Sequence, residues 1–256
     1  MTFAITIGCY RLLDFVELNI NACREWFGQH VPILLSDDLA PESEAVKRLA
    51  DRYDCSYVGT DSRMSHFSGD LQAIINGLSF ADVLGVDVAI KLSQRLVPCG
   101  AGFREAVERA FEDPTVAIAV PGKPPAGQIA SRASLFYHQF EILTDAVAIR
   151  RGTVDAAELV ALYRERVSEG KARMDCLVET TIHNLIHTTL QSTRHRVLTE
   201  WSEHKIGEPK LFLRKAQSSK SDYQLAARRY LLGGEFDLRE WAVLEGPGYV
   251  ARAQAV

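Results

Sequence analysis

Short apolar runs alternate with stretches of helical spacing along the first part of the chain. Phe3 to Gly8 is rich in β-formers and predicts a first strand. Leu12, Leu13, Val16, Ile20, Cys23 and Phe27 then recur along one stripe, which predicts an amphipathic helix. Val31 to Leu35 predicts a second strand, ending at Ser36-Asp37-Asp38. Pro41 opens a second helix carrying Val46, Leu49, Ala50 and Tyr53. Cys55 to Val58 is a short third strand, and Gly69 to Leu84 a helix with Leu71, Ile74 and Leu78 inward. Val86 to Leu92 is an apolar run with Lys91 near its end, which suits a central strand covered on both faces. It leads straight into three polar residues, Ser93-Gln94-Arg95.

The order is β-α-β-α-β-α-β. Strands joined by short helical crossovers pair in parallel, so the expected fold class is α/β, with a mostly parallel central sheet and helices on both faces. Beyond Pro98 the pattern predicts a helix from Gly102 to Phe111, a strand from Val116 to Val120 and the Pro- and Gly-rich loop Pro121 to Gly127. Ser134 to Thr144 reads as helix or as part strand. Ala146 to Arg150 reads as a strand, and Val154 to Val167 and Cys176 to Leu190 as helices. Residues 1–192 are therefore expected to form one catalytic-sized unit, divided near residue 98 into a nucleotide-binding half and a second half (99–192). Residues 193–256 form a more polar, helical or irregular extension packed on it. Lys205 to Arg229 holds seven Lys or Arg against two Asp or Glu, a basic end on an acidic protein.

The totals narrow the picture. At 256 residues and 47% hydrophobic, the chain can bury a sizeable core. A formal net charge of -4 gives no global footprint for nucleic acid. The five cysteines, Cys9, Cys23, Cys55, Cys99 and Cys176, are odd in number and never in CxxC spacing. That argues against a disulfide framework or a structural zinc and fits a reducing cytoplasm. MTFAITIGCYRLL lacks the charged n-region of a signal peptide. No apolar run reaches the roughly 18 residues that span a bilayer. A dinucleotide fingerprint is missing after the first strand, and no P-loop motif occurs.

Candidate chemistry clusters at strand ends. In open α/β sheets ligands bind beyond the carboxyl ends of the strands, so Ser93, Gln94 and Arg95 are expected at the mouth of a site. Asp37 and Asp38 end the second strand; they either precede the helix as caps or accept hydrogen bonds from a ligand. In the stretch Ser65 to Asp70, Ser68 can cap the following helix with Asp70 in its first turn. The alternative reading puts His66 and Asp70 at a ligand, and helix N-termini favour anions. Glu179, His183 and His187 recur every four residues on one helix face. They read as a polar stripe or as zinc ligands, but the spacing lacks the glutamate of HExxH.

The succession of features resembles the glycosyltransferases of the GT-A fold, over roughly residues 3 to 190. Tyr10-Arg11 ends the first strand, Ser36-Asp37-Asp38 ends the second, Asn76-Gly77 lies on the following helix, and the strand DVAIKL ends in a polar triplet. The resemblance implies a Rossmann-like half that binds a nucleotide sugar through Tyr10, Arg11, Asp37, Asp38, His66, Asp70, Lys91, Ser93, Gln94 and Arg95. Where that family usually carries Asp-x-Asp to hold a divalent metal, this chain has Ser93-Gln94-Arg95. Hard cations need carboxylate or carbonyl oxygens, so no metal and no other cofactor is expected. Arg95, with Arg11 and Lys91, would neutralise the diphosphate instead; Lys91 can alternatively pair with a carboxylate in the sheet. The acidic start of a late helix in such enzymes supplies the base of an inverting transfer, which points to Glu179 and then Asp175. Lys123 and Arg132 fall on the acceptor side.

The expected function is thus transfer of a sugar from a nucleotide diphosphate sugar to a hydroxyl of a glycan or lipid-linked acceptor, by a metal-independent, inverting enzyme of polysaccharide biosynthesis. Expected partners are that donor and acceptor, without nucleic acid. The expected location is the cytoplasm or the inner face of the membrane; Lys205 to Arg229 reads either as a solvated face or as a contact with an anionic acceptor, a lipid diphosphate or the membrane surface. Two rivals stand beside it. A sugar nucleotidyltransferase normally shows a glycine-rich basic loop after its first strand, which Tyr10-Arg11-Leu12-Leu13 lacks. A non-catalytic nucleotide-sugar-binding protein is compatible with the missing Asp-x-Asp.

Overall fold

The computed structural model describes residues 1–10, 13–61, 66–94, 96–98, 102–121, 146–161, 195–198 and 212–214. The first half alternates β1 (Phe3–Cys9), α1 (Leu13–Phe27), β2 (Ile33–Asp37), α2 (Ser43–Arg52), β3 (Ser56–Gly59), α3 (His66–Leu84) and β4 (Val88–Ser93). β5 (Leu96–Pro98), α4 (Gly102–Phe111), β6 (Ile118–Pro121), β7 (Ala146–Arg150), β8 (His195–Leu198) and β9 (Phe212–Arg214) follow. The main sheet has the order β3-β2-β1-β4-β7-β6-β8. β1 pairs in parallel with β2 and β4, β2 with β3, and β6 with β8; β7 alone runs against its neighbours. The fold is the α/β arrangement expected, a mostly parallel sheet with helices on both faces.

Two apolar clusters sandwich the sheet, and strand parity sorts residues between them. Ile5, Ile7, Leu35, Ile90 and Leu92 pack with Val16 and Ile20 of α1 and with Phe103 and Val107 of α4. On the other face, Ala4 and Ala89 pack with Ile74 and Leu78 of α3. β1 presents only small residues to α3. A Cβ added at Gly77 would lie 2.8 Å from Thr6 Oγ1, and one at Gly8 would lie 3.4 Å from Ala73 Cβ. The helix therefore rides close over the carboxyl end of β1, which brings its first turns to the site.

Several boundaries shift for physical reasons. β2 starts at Ile33 because Val31 is spent closing the turn after α1, its N–H donating to Gly28 O at 3.0 Å. α2 begins at Ser43 behind Glu42, not at Pro41. α3 begins at His66, so Ser68 lies inside the helix rather than capping it, and Asp70 falls beyond the first turn. β5 and β9 form a separate two-stranded antiparallel sheet. β8 and β9 both come from residues 193–256, and β8 joins the main sheet beside β6. The helical expectation for Val154 to Val167 is met at residues 156–161, the part that is described. Ser134 to Thr144 and Cys176 to Leu190 lie outside the described residues. Among the described residues no helix is long and apolar enough to cross a membrane.

Arg150, at the end of β7, ties α4 to the sheet. Its Nε donates to Val116 O at 3.0 Å, and its terminal nitrogen donates to Phe111 O at 2.8 Å and Asp113 O at 2.9 Å. The guanidinium carbon also lies 5.1 Å from the centroid of the Phe111 ring. These are carbonyls at and just past the carboxyl end of a helix, where a cation is favoured. Arg150→Ala is expected to cost about 1–2 kcal/mol, because the contacts are charge-assisted but part-exposed. Arg150→Lys should recover only a fraction, since an ammonium cannot reproduce the fork. Urea unfolding of both variants measures it, and two variants as stable as the wild type would refute the clamp.

Candidate active site

The carboxyl ends of β1, β2 and β4 come together in register, Gly8 facing Ser36 on one side and Ser93 on the other. Beyond them opens a pocket lined by Gly8, Cys9, Tyr10, Ser36, Asp38, Gly69, Asp70, Ser93 and Gln94. It holds about 450 Å³ of space, part of it open to solvent. Of the residues expected at a site, Tyr10, Asp38, Asp70, Ser93 and Gln94 converge on it.

Gln94 is a clamp. Its N–H donates to Gly8 O at 3.2 Å, its carbonyl accepts from Asn19 Nδ2 at 2.8 Å, and its side-chain Oε1 accepts from the Tyr10 N–H at 2.9 Å. Gln94 and Asn19 are both buried. The turn after β4 thus fixes the chain leaving β1, and with it Tyr10.

The two aspartates at the end of β2 part company. Asp37 is 1% exposed and does not line the pocket. Its Oδ1 accepts from the Ala40 N–H at 2.9 Å and its Oδ2 from the Tyr57 hydroxyl at 3.0 Å, so it holds the turn after β2. Burial pushes the Tyr57 phenol up to about 12, with the hydrogen bond to Asp37 adding to it, so this bond keeps its proton through the neutral range. Asp38 is the one that borders the pocket, and its carboxylate rests on α3. A Cβ at Gly69 would lie 2.5 Å from Asp38 Oδ2.

Lys91 does not line the pocket; it lies under it. Its side chain is 2% exposed and its ammonium pairs with Asp70 Oδ1. The partner thus sits on α3, not in the sheet. Cys9 lines the pocket, but burial first and the Asp37 charge second push its thiol well up. It is a protonated, apolar wall and not a nucleophile.

Sequence reasoning passed over Gly8, Cys9, Ser36 and Gly69 as lining residues. For Ser36 a signal existed, since the two-residue period of a strand puts Ser36 and Asp38 on one face and Asp37 on the other. Arg11, Arg95, Lys123, Arg132, Asp175 and Glu179, with His183 and His187, lie outside the described residues. His66 opens α3, and its side chain also lies outside what is described.

No protein-family model matches the sequence, and no curated protein does. Solved structures do match. A mannosyltransferase, PcManGT from Pyrobaculum calidifontis in complex with GDP-Man and Mn2+, superposes with a TM-score of 0.52 at 13% identity, over 99% of this chain and 75% of its own. Glucosyl-3-phosphoglycerate synthase from Mycobacterium tuberculosis, in complex with Mn2+, UDP and glucosyl-3-phosphoglycerate, superposes with a TM-score of 0.50 at 9% identity, over 92% of this chain and 81% of its own.

The fold is GT-A-like.

A cytidylyltransferase from Leptospira borgpetersenii also matches, with a TM-score of 0.49 at 11% identity. The likeness extends to the fold. It also corrects one expectation. The missing Asp-x-Asp led to an enzyme without a metal, yet both glycosyltransferases above are solved with Mn2+. The pocket offers only part of a donor set for an ion, and Asp70 also pairs with the Lys91 ammonium. Among the described residues no group of three or more His, Cys, Asp or Glu could hold an ion. Asp38 and Asp70 nevertheless border the pocket. One or two carboxylates plus the phosphates of a substrate are what a Mg2+-type site uses. The Asp-x-Asp position is not where the carboxylates of this chain are.

Proposed function

We propose that the protein transfers a sugar from a nucleotide diphosphate sugar to the hydroxyl of a glycan or lipid-linked acceptor. What carries this reading is the pocket at the carboxyl ends of β1, β2 and β4, bordered by Tyr10, Asp38 and Asp70, in a GT-A-like fold. In the transfer the acceptor oxygen bonds to the anomeric carbon as the carbon–oxygen bond to the diphosphate breaks. The hydroxyl proton passes to a base, for which Glu179 and then Asp175 are the candidates. The diphosphate departs with added negative charge; Asp38 and Asp70, with the phosphates, would hold a divalent ion, which would supply positive charge there. Lys123 and Arg132 belong to the acceptor side of this reading, and Lys205 to Arg229 to contact with an anionic membrane surface.

The test is a thermal-shift series with UDP, GDP, CMP and dTDP, each with and without Mg2+ or Mn2+. A ligand at a hundredfold excess over its dissociation constant stabilises the native state by about 2.7 kcal/mol. At least one nucleoside diphosphate is expected to raise the melting temperature, and more so with metal. If none does under any condition, the reading fails.

A further inference from the structure

One buried hydroxyl in the pocket belongs to a hydrogen-bond relay that the reading above leaves unused. Ser36 borders the pocket and is 5% exposed. Its Oγ accepts from Asn76 Nδ2 at 2.9 Å. The amide oxygen of Asn76 in turn accepts from Gln72 Nε2 at 2.9 Å. Gln72 and Asn76 stand one turn apart on α3, facing the same way. The directions are therefore coupled. Donation from Gln72 to the Asn76 oxygen turns the Asn76 NH2 toward Ser36, and a hydroxyl that accepts in this way keeps its own proton for a different acceptor.

Asp38 completes the picture. It lies two residues on from Ser36, on the same face of the chain, and both border the pocket. A carboxylate can only accept, whereas the Ser36 hydroxyl is set to donate. Side by side they match a ligand group that presents an acceptor next to a donor. Ribose hydroxyls and the edges of nucleobases have that form. A phosphate oxygen, which only accepts, fits beside Asp38 only with a cation between them.

We infer that Ser36, oriented by Asn76 and Gln72, donates a hydrogen bond to an oxygen at the nucleoside end of the ligand and is a specificity-determining residue of the pocket. The inference rests on the nucleotide reading above. Its ligand chemistry is an acceptor oxygen, from the ribose or from the base, and the arms of the experiment separate the two. A neutral hydrogen bond of this kind is worth about three- to tenfold in affinity.

Dissociation constants are measured by calorimetry for UDP, GDP, their 2′- and 3′-deoxy forms and pyrophosphate, with Mg2+ present. The proteins are the wild type, Ser36→Ala, Ser36→Thr and Asn76→Asp. Ser36→Ala is expected to weaken the nucleotide that binds by about three- to tenfold, with Ser36→Thr restoring most of it. Asn76→Asp should weaken it equally, because an aspartate there takes the Ser36 proton and turns it from the pocket. Pyrophosphate binding should not change in any variant. A ribose partner makes one deoxy form weak in the wild type and insensitive to Ser36→Ala; a base partner leaves both forms as sensitive as the parent. Should Ser36→Ala fail to fold, Asn76→Asp carries the same test without deleting the hydroxyl. Wild-type nucleotide affinity in Ser36→Ala and Asn76→Asp overturns the assignment and leaves the nucleotide reading standing, and so does an equal loss for pyrophosphate. A wild type that binds no nucleotide at all overturns both.

Discussion

Asp70→Ala is expected to lower the free energy of unfolding by about 3–5 kcal/mol, and Lys91→Met added to it to recover most of the loss. The two partners of this ion pair are not equivalent. The Lys91 side chain is 2% exposed, while that of Asp70 is 23% exposed and borders the pocket. Lys91 stands in the middle of β4, in register with Thr6 of β1, on the face that α3 covers. Truncating Asp70 removes the carboxylate that faces the ammonium in a place where water cannot easily replace it. Truncating Lys91 instead leaves a carboxylate beside an open pocket, where water can reach it. Lys91→Met alone should therefore cost less, about 1–2 kcal/mol. The double variant exchanges a buried pair for an apolar side chain of similar length, a change that is often near neutral. Urea unfolding of the four proteins closes a double-mutant cycle. Equal costs for the two single changes, simply adding in the double, would mean that the pair does not govern the stability of this face.

The parts of this fold that were legible in the sequence are those whose cause is local. The strand of β4 announced itself as an apolar run because both its faces are covered, one by α3 and one by α1 and α4. α4 and β7 were bounded correctly because an amphipathic stripe and a short apolar run report their extent locally. What stayed hidden depends on partners far along the chain. Leu96–Pro98 is a strand only because Phe212–Arg214 lies beside it, and no local period reports that. The start of α3 was misplaced because Ser68 and Gly69 look like a helix boundary. Gly69 is glycine for another reason, the carboxylate of Asp38 pressed against it.

The site was legible to a similar depth. Strand ends pointed to the edge of the sheet where the pocket opens, and five of the expected residues line it: Tyr10, Asp38, Asp70, Ser93 and Gln94. The sequence could not say what each side chain is committed to. Gln94 spends its amide oxygen on the Tyr10 backbone, and Asp37 spends both carboxylate oxygens on the turn it shapes. The expectation of metal independence, which the Mn2+ in the two solved glycosyltransferases contradicts, looked for carboxylates only at the Asp-x-Asp position. The carboxylates of this pocket come from the end of β2 and from α3, which only the fold brings together.

Gly69→Ala is expected to weaken nucleoside diphosphate binding by about ten- to a hundredfold while the protein stays folded. A Cβ at this position would lie 2.5 Å from Asp38 Oδ2, 2.7 Å from Asp38 Cγ and 3.1 Å from Asp38 Cβ. Rotating the carboxylate cannot relieve all three contacts, because the Cβ of Asp38 is itself too near. Asp38 is therefore expected to shift and turn its carboxylate at the pocket wall. Whether it accepts from a ligand hydroxyl or holds a divalent ion, the lost contact is charge-assisted and worth about 1.5–3 kcal/mol. The fold has reason to survive. Alanine gains about 1 kcal/mol over glycine inside a helix, against about 1–3 kcal/mol for the forced shift. Asp38→Ala should show the same loss of binding. The double variant Asp38→Ala with Gly69→Ala should bind no worse than Asp38→Ala alone, since the clash has then gone and the carboxylate was already missing. Calorimetric titration of the three variants with UDP and GDP reads the effect. Wild-type affinity in a folded Gly69→Ala protein would show that the ligand does not depend on where Asp38 stands. A double variant much weaker than Asp38→Ala would mean that the glycine serves the ligand directly, through close approach of the α3 backbone, and not through the aspartate packed on it.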